Sequence, residues 1–548
     1  TATNPAGTVT IAYDNRGRIS SATDVFGQVV GYSYDANSNR TQLSLNAAAN
    51  ATYQYDLINR LTQLTDSVSL NTTFAYDATN KLTSRTLPNG VVSTYDYDGL
   101  NRLTRLKHVK SANTLADFQY QFDAVNNITQ MIDGAGTHSY NYDSLDRLTA
   151  ATHPAGQTTE SYTYDDLGNR TASHQGSSYT YQPFNRLVSA NGTTFGYDTN
   201  GNVISKTDAI ESWTYTWDYE NRLKQASLSG GVVVNYSYDG LGRRVQQTSS
   251  VSGTIKFVYD GANVLRDLDA NGSTVADYLN GASIDNRLRQ TTGTTASYFV
   301  VDHMGTTRGL ADATGTLAST IAYETFGKVA SGSTSTRYTY TGREADTEAH
   351  IYYYRARFYD PQAGRFLSED PLGVTVGPNM YEYVFQNPLR FVDPTGMQLQ
   401  QALAGGGTIA AGAAAAGGAV ATGAAAVAAY GVLLYGAWQL GEAIAEAPWN
   451  PFTHARDLPN PRVIPRTECP PLAIPMPRDT AGRNRWTCIA RCNIENFSNV
   501  PNAPARVEAT GTGPTESTAC QAAKDAAQGM SPLGTYTRHC QCVSCWKN

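Results

Sequence analysis

Residues 1–468 contain no cysteine, so neither a disulfide nor a thiolate metal site is available along most of the chain. All seven cysteines lie at 469, 488, 492, 520, 540, 542 and 545, as if two kinds of protein shared one polypeptide. Charge is also scarce. Only 16% of residues are Asp, Glu, Lys or Arg, and the net charge of −6 excludes a whole-chain nucleic-acid binder, whose footprint would be basic. No HxE…PCxxC pattern and no Walker loop occurs, which removes zinc-deaminase and P-loop chemistry. The chain starts at Thr1 with no Met and no basic-then-apolar leader, so no signal peptide is expected and a fragment or processed product is. Hydrophobic content of 41% excludes wholesale disorder, and 548 residues exceed one ordinary domain.

What is abundant is tyrosine, 35 against 15 Phe and 6 Trp, together with 48 Gly. The tyrosines fall in a recurring phrase: Tyr32-Ser-Tyr34-Asp35, Tyr53-Gln-Tyr55-Asp56, Phe74-Ala-Tyr76-Asp77, Tyr95-Asp-Tyr97-Asp98, and so on to Phe257-Val-Tyr259-Asp260. Aspartates 14, 35, 56, 77 and 98 are 21 residues apart, and later intervals drift between 16 and 25. Aromatic-x-aromatic places both rings on one face of a strand, because side chains alternate with period two. The aspartate then starts a turn by accepting backbone amides two residues on. Asn, Asp or Gly followed by Arg and an aliphatic, as in Asn59-Arg60-Leu61 and Asn101-Arg102-Leu103, supplies the positive φ of a tight turn and opens the returning strand. Each unit is a strand pair that cannot bury its aromatic face alone, so about a dozen must stack into a mainly β, solenoid-like sheet. By itself this periodicity describes an elongated scaffold without chemistry.

The phrase resembles the YD repeat of RHS-family proteins, of insecticidal toxin-complex C components and of teneurins, over about residues 8–397. The resemblance implies a β-solenoid that spirals into a shell around a C-terminal polypeptide. Residues 296–397 leave the rhythm and resemble the RHS repeat-associated core: Asp302-His303-Met304-Gly305, Tyr340-Thr341-Gly342-Arg343-Glu344, Tyr353-Tyr354-Arg355-Ala356-Arg357-Phe358-Tyr359-Asp360-Pro361, Gly364-Arg365-Phe366, Asp370-Pro371-Leu372-Gly373 and Asp393-Pro394-Thr395-Gly396-Met397. In that family the core plugs the shell and acts as an aspartyl autoprotease cutting just after the last Asp-Pro-x-Gly-x phrase. Carried over, the scissile bond is Met397–Gln398 and the catalytic carboxylates are Asp370 and Asp393. Arg365 is a candidate to hold a carboxylate in place, although buried Arg–Asp pairs are as often purely structural. Two carboxyls sharing one proton supply an acid and a base, because like charges a few ångströms apart cannot both ionise. Glu382 is a lesser acidic candidate. Asp-Pro and Asn-Pro are also ordinary turn starters, and Pro fixes φ with or without catalysis.

Three further segments follow the core. Residues 398–448 are Ala/Gly-rich, with no charge from Gln398 to Leu440. They read as a translocation segment or flexible leader, as a buried pair of helices, or, in last place, as a membrane anchor. Residues 449–477 are a Pro-rich linker. Residues 478–548 are a small α+β, cysteine-rich module of net charge +3 in the position of the family's variable toxin tip. Its strands are expected at 485–495, 505–510 and 535–543 and its helix at 515–528. Cys488, Cys492, Cys520, Cys540, Cys542 and Cys545 serve either disulfides, the preferred reading, or a zinc site completed by His539. A nuclease would need a general base and phosphate-binding cations, for which His539, Arg538, Lys524 and Glu516 are the set present.

The resemblance implies an RHS-type polymorphic toxin, secreted or at the cell surface and delivered into target cells, whose shell is expected to enclose a self-released effector. The partners the resemblance implies are a cognate immunity protein and a secretion or delivery apparatus; a target-cell membrane is a further candidate, and nucleic acid is one for the C-terminal module only. Two alternatives stand beside it: a non-enzymatic surface scaffold that binds carbohydrate or protein, and a membrane-permeabilising effector acting through residues 402–440.

Overall fold

The computed structural model describes residues 1–373, 377–397, 400–401, 486–496, 506–513 and 535–547. The chain divides into two compact units, Thr1–Arg456 and Asp457–Asn548. The first is built from two long antiparallel meanders in which each strand pairs with its neighbours in sequence. Seventeen strands run from Ala2–Asn4 to Arg170–Ser173, and sixteen from Tyr179–Gln182 to Val329–Gly332.

The repeat phrase builds this sheet by one local device. At Asp56, Oδ1 accepts the amides of Ile58 (3.1 Å) and Arg60 (2.9 Å), and Oδ2 accepts Arg60 Nε at 2.6 Å. The main chain closes the same turn, with Asp56 N donating to Arg60 O and Asn59 N to Asp56 O. Asn59 sits at φ 63°, and Asn80, Asn101 and Asn126 likewise take positive φ at their turns, which is why Asn or Gly recurs there. The register shifts by one residue just before the second aromatic, at Gln54/Tyr55, Ala75/Tyr76 and Asn141/Tyr142. This bulge adds twist in every unit and curls the meander.

The two aromatics of each phrase do different work. The first, as in Tyr53, Tyr95, Tyr120 and Tyr140, is buried on the inner face. The second reaches back to the preceding unit, its hydroxyl donating to a carbonyl: Tyr55 to Arg40, Tyr76 to Leu61, Tyr142 to Ile128. The turn arginine spans the same seam in the other direction. Arg60 Nη1 donates to Asp77 O at 3.0 Å while its guanidinium lies 4.9 Å over the Tyr76 ring. Each unit is thus fastened to the next by side chains as well as by the ladder.

The second meander runs past residue 295, where the rhythm changes, because Asp302 and Asp312 still close turns in the same way. After it, residues 338–373 and 377–397, termed the plug below, include a four-stranded sheet, Glu344–Asp346, Ile351–Tyr354, Arg357–Asp360 and Arg365–Phe366. One core cluster joins the first meander to this plug through Tyr120, Tyr140, Tyr162, Tyr354, Tyr359 and Tyr383. Another joins the second meander to it through Trp213, Tyr236, Tyr353 and Phe358. A third packs the two meanders together through Leu43, Leu64, Leu265 and Leu288.

In the second unit, the strand Trp486–Asn496 lies between Arg506–Gly513 and Thr535–Lys547, both antiparallel to it. The helix expected at 515–528, the 402–440 segment and the 449–477 linker lie outside the described residues. Among the described residues no helix is long and apolar enough to cross a membrane.

Candidate active site in the plug

The plug brings Asp370 and Asp393 together although they stand on separate loops. Asp370 is placed by its own amide, which donates to Met380 O at 2.9 Å, and by Leu372 N, which donates to its Oδ1 at 2.9 Å. Asp393 follows the short strand Phe391–Val392, and its Oδ1 accepts Met397 N (3.1 Å) and Thr395 Oγ1 (3.2 Å). Between the two carboxylates stands Arg357. Its Nη2 lies 2.7 Å from Asp370 Oδ2 and 3.3 Å from Asp393 Oδ2, so one guanidinium nitrogen bridges both. All three side chains are buried. Burial pushes the Asp370 carboxyl up to about 6, against the pull of Arg357 and the Leu372 amide, and the neighbouring Asp393 adds to the rise.

The segment leading up to Met397 is held by the strand turn beside it. Three consecutive carbonyls are held by three consecutive residues: Pro394 O by Arg355 Nη1, Thr395 O by Ala356 N at 3.0 Å, and Gly396 O by Arg357 Nε. A Cβ on Gly396 would stand 2.2 Å from Tyr354 O at a φ of +71°, so only glycine lets the loop lie this close. Downstream, the backbone of Gln400–Gln401 pairs with Phe391–Val392. Asp393 and Met397 thus both belong to the segment that follows Phe391–Val392 in the chain and precedes its pairing partner Gln400–Gln401.

Arg365 is not at this site. Its Nη2 donates to Asn185 O, its guanidinium lies 4.9 Å over Tyr381, and its backbone bridges to Glu382. The position that the sequence reading gave to Arg365 is occupied by Arg357, on the preceding strand. Glu382 also sits apart, in a small polar cavity with Arg170, Arg365 and Gln386, where burial pushes its carboxyl up to about 8. Arg357 was visible in the phrase Tyr353–Pro361, but nothing local distinguishes it from Arg355 or Arg365. Among the described residues no group of His, Cys, Asp and Glu is arranged to hold a metal ion. In the second unit, Cys488 and Cys492 lie on the first strand and Arg538, His539, Cys540, Cys542 and Cys545 on the last, with Cys488 opposite Cys545 in register. Glu516, Lys524 and Cys520, and the side chains of this whole sheet, lie outside the described residues.

The repeat architecture and its plug have recognisable relatives. The Teneurin YD-shell family model matches residues 88–387, more than half of the chain, and the RHS Repeat model matches residues 13–48. The chain belongs to the teneurin YD-shell family. It is 28% identical over 321 residues to the double-stranded DNA deaminase toxin A of Burkholderia cenocepacia, covering 52% of this chain and 22% of that protein. It is 32% identical over 276 residues to the tRNA3(Ser)-specific nuclease WapA of Bacillus spizizenii, covering 46% of this chain and 12% of that protein. The chain thus spans less than a quarter of the length of these relatives. The crystal structure of TcdB2-TccC3-TEV superposes with a TM-score of 0.54 at 21% identity, covering 71% of this chain and 21% of that one, a likeness of fold.

Proposed function

We propose that this YD shell is the enclosing part of an RHS-type toxin, and that its plug cuts the chain between Met397 and Gln398 to free the C-terminal residues 398–548. The observation that carries this is the single nitrogen of Arg357 bridging Asp370 and Asp393 beside a fixed loop that ends at Met397. The toxin relatives support the wider role.

The chemistry follows from the two carboxyls. Asp393, which accepts an amide and a hydroxyl, is the ionised partner and takes a proton from water as its oxygen attacks the Met397 carbonyl carbon. Asp370, the partner raised toward neutrality, gives its proton to the carbonyl oxygen. When the tetrahedral intermediate collapses, the C–N bond breaks and the Gln398 nitrogen leaves as an amine with the proton that Asp393 took up. Met397 is left with a carboxyl group and the dyad regains its shared proton. Arg357 keeps the pair together and screens the charge that develops on it.

In this reading the freed piece is an effector for a competitor or host cell, carried by a delivery apparatus and restrained in its producer by an immunity protein. Its own chemistry is to be sought at His539, Arg538, Lys524 and Glu516, and its cysteines assayed both as free thiols and for zinc. The test is intact-protein mass spectrometry of the wild-type chain beside Asp393→Asn. A fragment beginning at Gln398 in the wild type alone supports the reading. An uncut wild type refutes it and leaves a surface repeat scaffold as the better account.

A further inference from the structure

We infer that Arg355, held by Asp285, is a positioning residue for this cleavage, so that the cut waits until the second meander is seated against the plug. The inference rests on the self-cleavage reading. Arg355 and Ala356 form a two-residue turn between the strands Ile351–Tyr354 and Arg357–Asp360, and Arg355 adopts φ 60° where glycine or asparagine would ordinarily serve. A strained residue kept in such a turn points to work done by its side chain.

That side chain is buried and has three kinds of partner. Nη1 donates to Pro394 O, in the loop to be cut. Nε and Nη2 donate to Ala262 O at 3.2 and 3.0 Å, and Nη1 and Nη2 meet the Asp285 carboxylate at 3.0 and 2.8 Å. Ala262 and Asp285 both belong to the second meander, in the connections that follow the strands Gly253–Asp260 and Thr274–Asn280. Asp285 is itself fixed, with Arg343 at 2.6 Å, Arg287 at 3.2 Å and its amide on Asn263 Oδ1 at 2.9 Å. Although burial pushes its carboxyl up, Arg343 and Arg355 together hold it well below the usual carboxylate range.

Pro394 has no N–H, so its carbonyl is the one backbone polar group that this residue offers. Arg355 sets that carbonyl, the Ala356 amide sets the next and Arg357 the third, which fixes the register of the loop against the dyad. If the second meander is not in place, Arg355 keeps Pro394 O but loses Ala262 and Asp285, and nothing aims it. A displacement of about 1 Å at a reacting centre costs on the order of 100-fold in rate. Arg355 is a positioning residue because none of its polar contacts is to Asp370 or Asp393.

The test uses the full chain, refolded by dilution from urea, with the rate of appearance of the fragment starting at Gln398 read by intact mass between pH 5 and 8. Arg355→Met and Asp285→Asn should cut about 10- to 100-fold more slowly than wild type, with an unchanged pH midpoint because the dyad is intact. Arg355→Lys should recover part of the rate lost in Arg355→Met, and millimolar guanidinium should restore Arg355→Met. If the Met and Asn variants fail to fold, Asn263→Ala loosens Asp285 more gently and should slow the cut by about 3- to 10-fold. Folded variants that cut within twofold of wild type overturn the inference, as does a shifted pH midpoint, which would place Arg355 in the electrostatics of the dyad. A wild type that does not cut at all would instead remove the self-cleavage reading.

Discussion

The pH dependence of self-cleavage should fall through the titration of Asp370. This carboxyl is raised from 3.8 to about 6 by burial, which outweighs the Arg357 guanidinium 2.7 Å away. Cleavage uses its protonated form, and at pH 7 roughly one-tenth of molecules carry that proton, at pH 8 roughly one-hundredth. Chain unfolded in urea and diluted into buffers from pH 5 to 8.5, quenched over time and read by intact mass, should cut at a rate that is level below about 6 and falls close to tenfold per pH unit above it. Stability moves in the same direction. The folded chain binds this proton more tightly than the unfolded one, so the contribution is fully present below 3.8 and lost as pH rises through about 6. Two pKa units correspond to about 3 kcal/mol. Asp370→Asn is neutral at every pH but has no carboxyl proton to give, so it should abolish the cut and remove this part of the pH dependence of melting. A rate that climbs with pH between 5 and 8, or ignores it, would refute the assignment of Asp370 as the acid.

Other perturbations test the fold and the site separately. Gly396→Ala should slow the cut at least tenfold by mass spectrometry, because its Cβ would meet Tyr354 O and its φ lies in the left-handed region. Arg365→Met should leave the fragment beginning at Gln398 unchanged, whereas Arg357→Met should abolish it, since Arg357 bridges the two carboxylates and Arg365 reaches Asn185 O instead. Asp239 is fully buried and accepts the amides of Leu241 and Arg243 as well as Arg243 Nε, so Asp239→Ala should cost about 3–5 kcal/mol, seen as a drop in melting temperature.

The parts of this protein legible in its sequence are those decided within a few residues. An aspartate followed by Asn or Gly three positions on closes its own turn wherever it occurs, because carboxylate, amides and positive φ all lie inside five residues, as at Asp56–Arg60. Repetition of that turn, with an aromatic stripe that needs covering, was enough to specify stacked antiparallel strands. Asp370 and Asp393 were singled out by the resemblance of their Asp-Pro-x-Gly phrases, since an Asp-Pro pair read locally is an ordinary turn starter, and the fold brings both onto one arginine. The arginine between them was not singled out. Arg365 is nearer to Asp370 in sequence, but the strand it belongs to bridges to Glu382 and carries its side chain to Asn185. Arg357 reaches the dyad because Asp370 is anchored on Met380 and Thr395 on Ala356, contacts made by chain segments that meet only when the plug has folded. Local chemistry wrote the turns and the stack. Which guanidinium stands between two carboxylates depended on where distant loops came to rest, and that was decided by tertiary packing alone.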